Sequence, residues 1–321
     1  DMHHIISDAF SFRILVQDFT DLYSGRKLTP MKLYYKDYSE WRNSGEQKER
    51  ILIQEQYWLK KLSGTLPVLN IPTDFTRPRR QSFIGSRIEF LIEKEQFAAL
   101  RELALKEEAT IHIVMLGVLY VLLAKLAGQE DILIGTPAAG RNHSDLEKII
   151  GVFINTLVQR NFPTGEKTFL EFLREVRQNS LAAYENQDYP FDELVKKLIK
   201  ERDSSRNPLF DVMFEMQKVD SSAPAGGGSR IPSLMVKPYP REVTATKIDL
   251  DWVGSEREDA IHFTLTYSTK LFQEETVRFI ADCYQVLIES IIADEESKIK
   301  DLNFTALEKE KGKEKQVVFN F

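Results

Sequence analysis

The sequence predicts an α/β fold divided into two lobes, with helices packed on a sheet of mixed strand direction. Helical and strand patterns alternate loosely along the chain, which is typical of helices layered on a sheet. The strand candidates 210–216 and 261–267 alternate apolar with polar residues, and this favours mixed or antiparallel pairing over a purely parallel sheet. The proline-containing stretch 67–85 interrupts these patterns and predicts a connection between the lobes.

Composition and charge argue against several classes of protein. The 321 residues are 42% hydrophobic and 29% charged, which is ordinary for a globular chain with a sizeable core. The net charge of −6, with no basic stripe in the sequence, predicts no nucleic-acid partner. The chain contains no run of about 18 apolar residues, so no membrane span is predicted. The single cysteine, Cys283, excludes an internal disulfide framework and, with no signal-peptide pattern, predicts a cytoplasmic location.

Periodicity predicts the individual elements. The clearest helix has an apolar stripe at 111–126, with Thr110 as its N-cap and Gly128 as its stop. The polar stretch 27–38 is expected to be a connection. The other predicted helices lie at 12–22, 46–62, 97–100, 168–186, 194–198 and 277–291, and the predicted strands lie at 88–92, 131–135, 152–159, 210–216 and 261–267.

Several reactive or charged residues have plain structural interpretations. His112 lies off the apolar stripe of its helix and Cys283 lies beside that of the last helix, so both are interpreted as packing residues. Arg77, Arg79 and Arg80 form a basic cluster, which is interpreted as a solvated loop because short charge runs usually are.

Two polar stretches predict segments without a packed core. Residues 221–229 are rich in Ser, Gly and Pro, and their glycines lack the Lys-Ser/Thr of a phosphate-binding loop, so we expect a flexible loop. Residues 308–315 are highly charged and are interpreted as a solvated tail or linker.

The opening residues carry the pattern with the most chemical content. His3 and His4 are adjacent, and His4 lies four residues before Asp8 at the start of an amphipathic helix. A histidine on a turn that opens a helix can face a cleft, and a nearby carboxylate can orient it or lock the turn. Two other interpretations stay open. Asp8 could simply cap the helix, or the histidines could bind a metal, although no further His or Cys lies at ligand spacing nearby.

This pattern resembles the HHxxxDG motif of the condensation domains of nonribosomal peptide synthetases. His3, His4 and Asp8 match the motif, whereas Ala9 stands where the family usually has glycine. Further stretches resemble the family's other motifs in the expected order, and an ordered set is far more specific than one motif. These are YYKDYSEW at 34–41, GTPAAGR with DLE at 135–147, IGVFINTL at 150–157, QDYPF at 187–191 and RNPLFDVMF at 206–214, and later segments at 247–250 and 267–272 also fit.

The resemblance implies a two-lobed, chloramphenicol-acetyltransferase-like α/β sandwich. Residues 1–64 would form the C-terminal part of the N-lobe, residues 65–301 the C-lobe, and residues 302–321 a linker towards an adenylation domain. Family members begin well before the HHxxxDG motif. The first part of the N-lobe is therefore expected to be missing from this chain, and the isolated fragment is expected to be inactive.

The implied reaction is amide-bond formation between two carrier-bound substrates. An aminoacyl or peptidyl donor, of the L-type by the form of the motif, is held as a thioester, and the amine of an aminoacyl acceptor attacks it. The partners are upstream and downstream peptidyl carrier proteins and an adjoining adenylation domain. The substrates arrive on the phosphopantetheine arms of the carriers, and the domain itself is expected to bind no cofactor or metal.

The resemblance also assigns roles to individual residues. His4 is the implied catalytic group, with His3 and Asp8 supporting its turn. Ala9 and Asn155 are the implied substrate-binding residues. Arg141 is a candidate structural partner for Asp8.

Alternatives remain within the same fold. Epimerization domains share HHxxxDG but lack the RNPLFDVMF pattern, and cyclization domains replace the histidines by aspartate, which His3 and His4 exclude. A non-catalytic module that only docks carrier or tailoring proteins usually loses the active histidine. Ala9 and the expected absence of the first part of the N-lobe keep that last alternative open.

Overall fold

The computed structural model describes residues 2–218 and 245–304. The predicted flexible loop at 221–229, the charged stretch at 308–315 and most of the predicted linker at 302–321 lie outside the described residues. Within that linker residues 302–304 are described, and Leu302 and Phe304 are buried in the larger of the two hydrophobic cores.

Eight helices and six strands are present in the described residues. The helices are α1 Ala9–Tyr23, α2 Tyr35–Arg42, α3 Gly45–Lys61, α4 Lys94–Lys106, α5 Ile111–Ala127, α6 Phe169–Glu185, α7 Phe191–Leu198 and α8 Glu274–Ala293. The strands are β1 Gly85–Ile92, β2 Ile132–Ala138, β3 Asn155–Asn161, β4 Val212–Lys218, β5 Leu250–Glu256 and β6 Ile261–Ser268.

The six strands form one mixed sheet in the order β1-β6-β5-β4-β2-β3. The β1–β6, β6–β5 and β2–β3 pairs are antiparallel, and β5–β4 is parallel along seven register pairs. The parallel pair β4–β2 is joined at one register pair, Gly135 with Met213. The prediction of a mixed sheet is therefore confirmed.

Hydrophobic cores lie on both faces of the sheet. Ile134 of β2 belongs to the larger core, which α4, α5, α6 and α8 cover, whereas its neighbour Leu133 belongs to a smaller core that contains Trp58 of α3 and Leu194 of α7. Alternate residues of a strand point to opposite faces, which explains this division. The helix α3 is thereby tied to the β2–β3 end of the sheet.

The predicted central helix is confirmed with both of its ends. The Thr110 hydroxyl accepts a hydrogen bond from the Ile113 amide at 3.3 Å, and Gly128 ends the helix in the left-handed conformation with φ of 60°. Almost every side chain of α5 is buried, so the helix forms the centre of the larger core. His112 lies on this helix with its ring against Phe214 at 5.3 Å, and burial lowers its pKa to about 4, consistent with a packing role.

Some predicted boundaries were wrong. The helix α2 begins at Tyr35, inside the stretch 27–38 that was expected to be a connection. Strand β2 continues to Ala138 because its antiparallel ladder with β3 runs that far. Strand β5 was not predicted, since its sequence LDWVGSE alternates poorly, and pairing with β4 and β6 on both sides forms it.

The helix α1 is confirmed, but its apolar stripe is exposed. Phe12 is 57% exposed, Phe19 55% and Leu22 59%, whereas the polar Ser11 and Thr20 are buried. The fully buried side chains of α1 are therefore polar, while several of its large apolar side chains lie at the surface of the described chain.

In the described part of the chain no single helix is long and apolar enough to cross a membrane. The helices α4 and α5 reach that length and composition only when taken together, and they are bent by 104° at the break between them.

The solvated-loop interpretation was wrong for one of the three arginines. The Arg77 guanidinium binds both carboxylate oxygens of Asp249, with one nitrogen–oxygen distance of 3.0 Å. This ion pair fastens the 67–85 connection to the start of β5. Arg79 and Arg80 are exposed, as predicted.

A second buried carboxyl lies beside this ion pair. Asp211, immediately before β4, accepts a hydrogen bond from Arg206 at 3.1 Å through Oδ2, while its Oδ1 is buried without a partner. Burial and the charge of Asp249 raise the pKa of Asp211 to about 7, against the opposing effect of Arg206 and Arg77.

The raised pKa of Asp211 predicts a specific pH dependence of stability. From about the unfolded pKa of 3.8 up to about 7, the folded protein keeps a proton that the unfolded chain has lost, so the free energy of unfolding falls as the pH rises. Asp211→Asn should flatten this fall and gain stability relative to the unmodified chain as the pH rises through that window. Urea unfolding across the window measures it, with the exposed Asp259→Asn as the control. Parallel pH curves for the Asp211 variant and the unmodified chain would contradict the prediction.

Candidate active site

The two adjacent histidines lie on a tight turn directly before α1. The Ile6 amide donates to the His3 carbonyl at 3.1 Å and closes the turn. Both imidazole rings are exposed. The turn therefore presents the histidines at the surface of the described chain.

Hydrogen bonds assign opposite tautomers to the two rings. His4 Nδ1 lies 2.8 Å from the Ser7 carbonyl oxygen, and because that oxygen can only accept, Nδ1 carries the hydrogen. In the neutral ring, His4 Nε2 is then the unprotonated nitrogen and can accept a proton. His3 Nδ1 instead accepts from the Ile5 amide at 3.1 Å, so Nε2 carries the hydrogen in its neutral ring.

Asp8 caps α1 and fastens the turn to the body of the protein. Its Oδ1 accepts from both the amide and the hydroxyl of Ser11 at 2.7 Å, and its Oδ2 accepts from the Phe153 amide at 3.1 Å. Arg141 adds an ion pair at 3.2 Å. Asp8 therefore caps the helix and pairs with Arg141 at the same time, so the two predicted contacts coexist.

Arg141 is itself held by several contacts, although its buried Nε has no hydrogen-bond partner. Its side chain is 3% exposed, and its guanidinium donates to the Leu146 carbonyl and, at 2.8 Å, to the Ile149 carbonyl. Its guanidinium carbon also lies 4.1 Å from the centre of the Phe153 ring and 5.1 Å from that of Phe10. A guanidinium can stack on rings and donate in its plane at once, which a lysine ammonium cannot do.

These partners shift the titration of Asp8. Burial acts to raise its pKa, but hydrogen bonds from Ser11 and from the Phe153 amide, with the charge of Arg141, outweigh it and lower the pKa below the usual 3.8. Asp8 is therefore a buried carboxylate at neutral pH and does not act as a proton donor there.

A turn at 151–153 provides further contacts that fix Asp8 and Ser11. The Ser11 hydroxyl lies 2.8 Å from the Gly151 carbonyl oxygen and accepts from the Gly151 amide at 3.1 Å. Ser11 was not predicted from the sequence. A serine at the third helical position is not part of a capping box, and its contact with Gly151 spans 140 residues, so no local signal identifies it.

The two predicted substrate-binding residues lie in different settings. Ala9 is exposed at the first position of α1, and its φ is not positive. The family's glycine is therefore not required here for its backbone conformation, and only the added methyl group distinguishes Ala9.

Asn155 anchors the segment that precedes α7. Its side-chain amide nitrogen donates to the carbonyls of Gln187 and Tyr189, both at 2.7 Å, and its amide oxygen accepts from the Phe191 amide at 3.1 Å. This arrangement fixes the 187–191 segment beside β3. A contact between Asn155 and substrate stays a prediction.

Two small cavities of the described chain lie away from the histidines. One of about 30 Å³ is lined by Asp131, Arg206 and Asp211, and a smaller one is lined by Arg77 and Asp249. Neither is lined by the HHxxxD residues. Within residues 2–218 and 245–304 no group of three or more His, Cys, Asp or Glu side chains is arranged to hold a metal.

Comparison with known proteins defines the class to which this fold and motif belong. The condensation-domain family model matches residues 1–313. The chain therefore belongs to the condensation-domain family, as the motifs predicted.

Its relatives are peptide synthetases. The chain is 43% identical over 308 residues to tyrocidine synthase 3 of Brevibacillus parabrevis, which covers 96% of this chain and 5% of that protein. It is 42% identical over 313 residues to gramicidin S synthase 2 of Brevibacillus brevis, covering 97% of this chain and 7% of that protein. The chain thus spans only a small part of these relatives, and it corresponds to a condensation domain of a nonribosomal peptide synthetase.

Solved structures confirm the chloramphenicol-acetyltransferase-like fold. The complex of the X-domain and OxyB from teicoplanin biosynthesis matches with a TM-score of 0.83 and 26% identity, covering 94% of this chain and 68% of that one. A four-domain nonribosomal peptide synthetase bound to AMP and glycine matches with the same TM-score of 0.83 and 21% identity, covering 94% of this chain and 24% of that one.

We expect the loss of Asp8 to destabilise the chain strongly. Asp8→Ala leaves Arg141 buried without its partner, and breaking such a pair typically costs about 3–5 kcal/mol of unfolding free energy. The pKa of Asp8 is lowered on folding, so its contribution is present above the unfolded pKa of 3.8 and is lost as the pH falls through the folded value. Urea unfolding at neutral and acidic pH measures both effects, with the exposed Asp259→Ala as the control. A cost equal to that of the control would refute the structural role.

Gly140, directly before Arg141, offers a separate test of the contacts around Asp8. Gly140 has φ of 65°, and a Cβ there would lie 1.9 Å from the Phe153 carbonyl oxygen. Gly128 also has positive φ, at 60°, but a Cβ there meets nothing within 4 Å. Gly128→Ala should lower the free energy of unfolding by about 1–2 kcal/mol, through backbone strain alone. Gly140→Ala should cost clearly more in the same unfolding measurement, and equal costs would show that this close approach is unimportant.

Proposed function

We propose that this chain forms peptide bonds between substrates carried on two peptidyl carrier proteins. The donor is an aminoacyl or peptidyl thioester, of the L-configuration, and the acceptor is the amine of an aminoacyl thioester. The observation that carries the proposal is the state of His4: its Nδ1 is bonded to the Ser7 carbonyl, its ring is exposed, and its Nε2 can accept a proton. The fixed Asp8–Arg141 pair holds the turn that presents it.

The reaction requires that the two substrates are positioned and that a proton is removed from the acceptor amine. It needs no enzyme nucleophile, because the thioester is already activated. The acceptor nitrogen attacks the thioester carbonyl carbon, forming a carbon–nitrogen bond and a tetrahedral intermediate. Collapse of the intermediate breaks the carbon–sulfur bond. The nitrogen loses a proton along this path, which Nε2 of His4 can accept, and the leaving thiolate takes up a proton. Cys283, the one cysteine of the sequence, is fully buried in α8 and is not placed as a nucleophile.

The other predicted site residues take supporting roles in this proposal. His3 holds the turn through the Ile5 amide, and Asp8 anchors it. Ala9 lies at the opening of α1, where its methyl group narrows the path of a substrate arm. Asn155 acts through the 187–191 segment that it fixes.

The setting of the domain follows from the same proposal. Residues 1–64 belong to the N-lobe, residues 65–301 form the C-lobe, and residues 302–321 lead towards an adenylation domain. Upstream and downstream carrier proteins bring the substrates on phosphopantetheine arms, and the synthetase works in the cytoplasm. The many curated peptide synthetases that match nearly the whole chain support this assignment.

A non-catalytic docking module is the second candidate. The likeness to an X-domain that was solved in complex with OxyB favours it, and so does Ala9 in place of the family's glycine. Retention of His4 with a free Nε2 favours catalysis. An epimerization domain is a further alternative, which the RNPLFDVMF stretch at 206–214 disfavours.

We expect His4→Ala to slow peptide formation by about 10²–10⁴-fold, because a positioned general base typically contributes that much. The assay is single-turnover condensation between two preloaded carrier proteins, in the synthetase that contains this chain. His262→Ala is the matched control, since His262 is exposed on β6 and lies outside the connection that holds Asp8. His3→Ala should lower stability through the lost turn contact. Nearly full activity of His4→Ala would favour the docking module.

A further inference from the structure

The 151–153 turn touches every group that fixes Asp8. Its Gly151 binds the Ser11 hydroxyl, its Phe153 amide donates to Asp8 at 3.1 Å, and its Phe153 ring stacks on the Arg141 guanidinium at 4.1 Å. Any displacement of this turn therefore reaches Asp8 by three routes. What holds the turn then decides how firmly Asp8 is held.

Tyr35, the first residue of α2, holds the turn from outside. Its hydroxyl donates to the Val152 carbonyl at 2.8 Å, and its ring meets the Phe153 ring edge-on with centroids 5.3 Å apart. The ring also lies against Gly151, because a Cβ there would come within 2.0 Å of it. Tyr35 thus contacts all three residues of the turn.

The path from this turn to the imidazole is short. Asp8 directly follows Ser7, and the Ser7 carbonyl bonds to Nδ1 of His4 at 2.8 Å. That bond selects the tautomer in which Nε2 is unprotonated. If the Ser7 carbonyl shifts, His4 populates both tautomers and orientations, and only one of them can accept the proton of the acceptor amine.

We propose that Tyr35 is a positioning residue for His4, acting through the 151–153 turn, Asp8 and the Ser7 carbonyl. The proposal rests on the function proposed above, since it assigns to Tyr35 a part in that reaction. Tyr35 does not touch the imidazole. Its hydroxyl and ring fix the turn, and the turn fixes the tautomer and direction of His4.

The test is a double-mutant cycle in the synthetase that contains this chain. Tyr35→Phe removes only the hydroxyl that binds Val152, and a lost hydrogen bond of this kind corresponds to about a threefold to tenfold loss of rate. Tyr23→Phe is the matched control, since Tyr23 ends α1 and is 52% exposed. Single-turnover condensation is measured for each variant alone and in the His4→Ala background, with thermal unfolding midpoints recorded beside it.

The expected result is a lower maximal rate for Tyr35→Phe, with the dependence on acceptor concentration unchanged and no further loss in the His4→Ala background. An unchanged rate would overturn the proposal. So would a loss that persists in the His4→Ala background, which marks general damage to packing, or a changed dependence on acceptor concentration, which marks substrate contact. A full rate for His4→Ala would overturn the proposed function and this inference together. A slow His4→Ala beside an unaffected Tyr35→Phe would overturn the inference alone.

Discussion

The structure around the histidine turn depends on the ion pair between Asp8 and Arg141. Burying two charges costs several kcal/mol for each ion unless hydrogen bonds replace the lost water. Here the replacement is extensive: Ser11 and Phe153 donate to the carboxylate, and the carbonyls of Leu146 and Ile149 accept from the guanidinium. The pair is tolerated in a buried position because these contacts pair most polar atoms of both partners, the buried Arg141 Nε being the exception. The turn before α1 is held because Asp8 lies between it and the helix.

Local patterns in the sequence were sufficient for most helices and strands. The helix α5 was predicted with both ends, since Thr110 and Gly128 are signals that neighbouring residues alone decide. Strand β5 and the start of α2 were missed because distant parts of the chain decide them. Strand β5 forms because it pairs with β4 and β6 on its two sides. Helix α2 begins at Tyr35, whose ring packs against the distant Gly151.

The site was predictable only in part, for the same reason. The sequence identified His4, Asp8 and the candidate Arg141 from a motif and its resemblance to a family. Ser11 and Tyr35 act across 140 and 117 residues of chain, and no periodicity connects such distant positions. The basic cluster failed similarly: the partner of Arg77 is Asp249, 172 residues away, so its short charge run could not be distinguished from a solvated one.

All the outside anchors of Asp8 come from one connection, 139–154, which joins β2 to β3 and contains Arg141, Gly151 and Phe153. That hairpin joins the other four strands at the single register pair of Gly135 with Met213. Side-chain packing supplies the rest of the attachment, with Ile134 in the larger core and Leu133 in the smaller one. The position of the histidine turn relative to the sheet is therefore set through the β2–β3 hairpin, because the long-range partners of Asp8 lie in its connection.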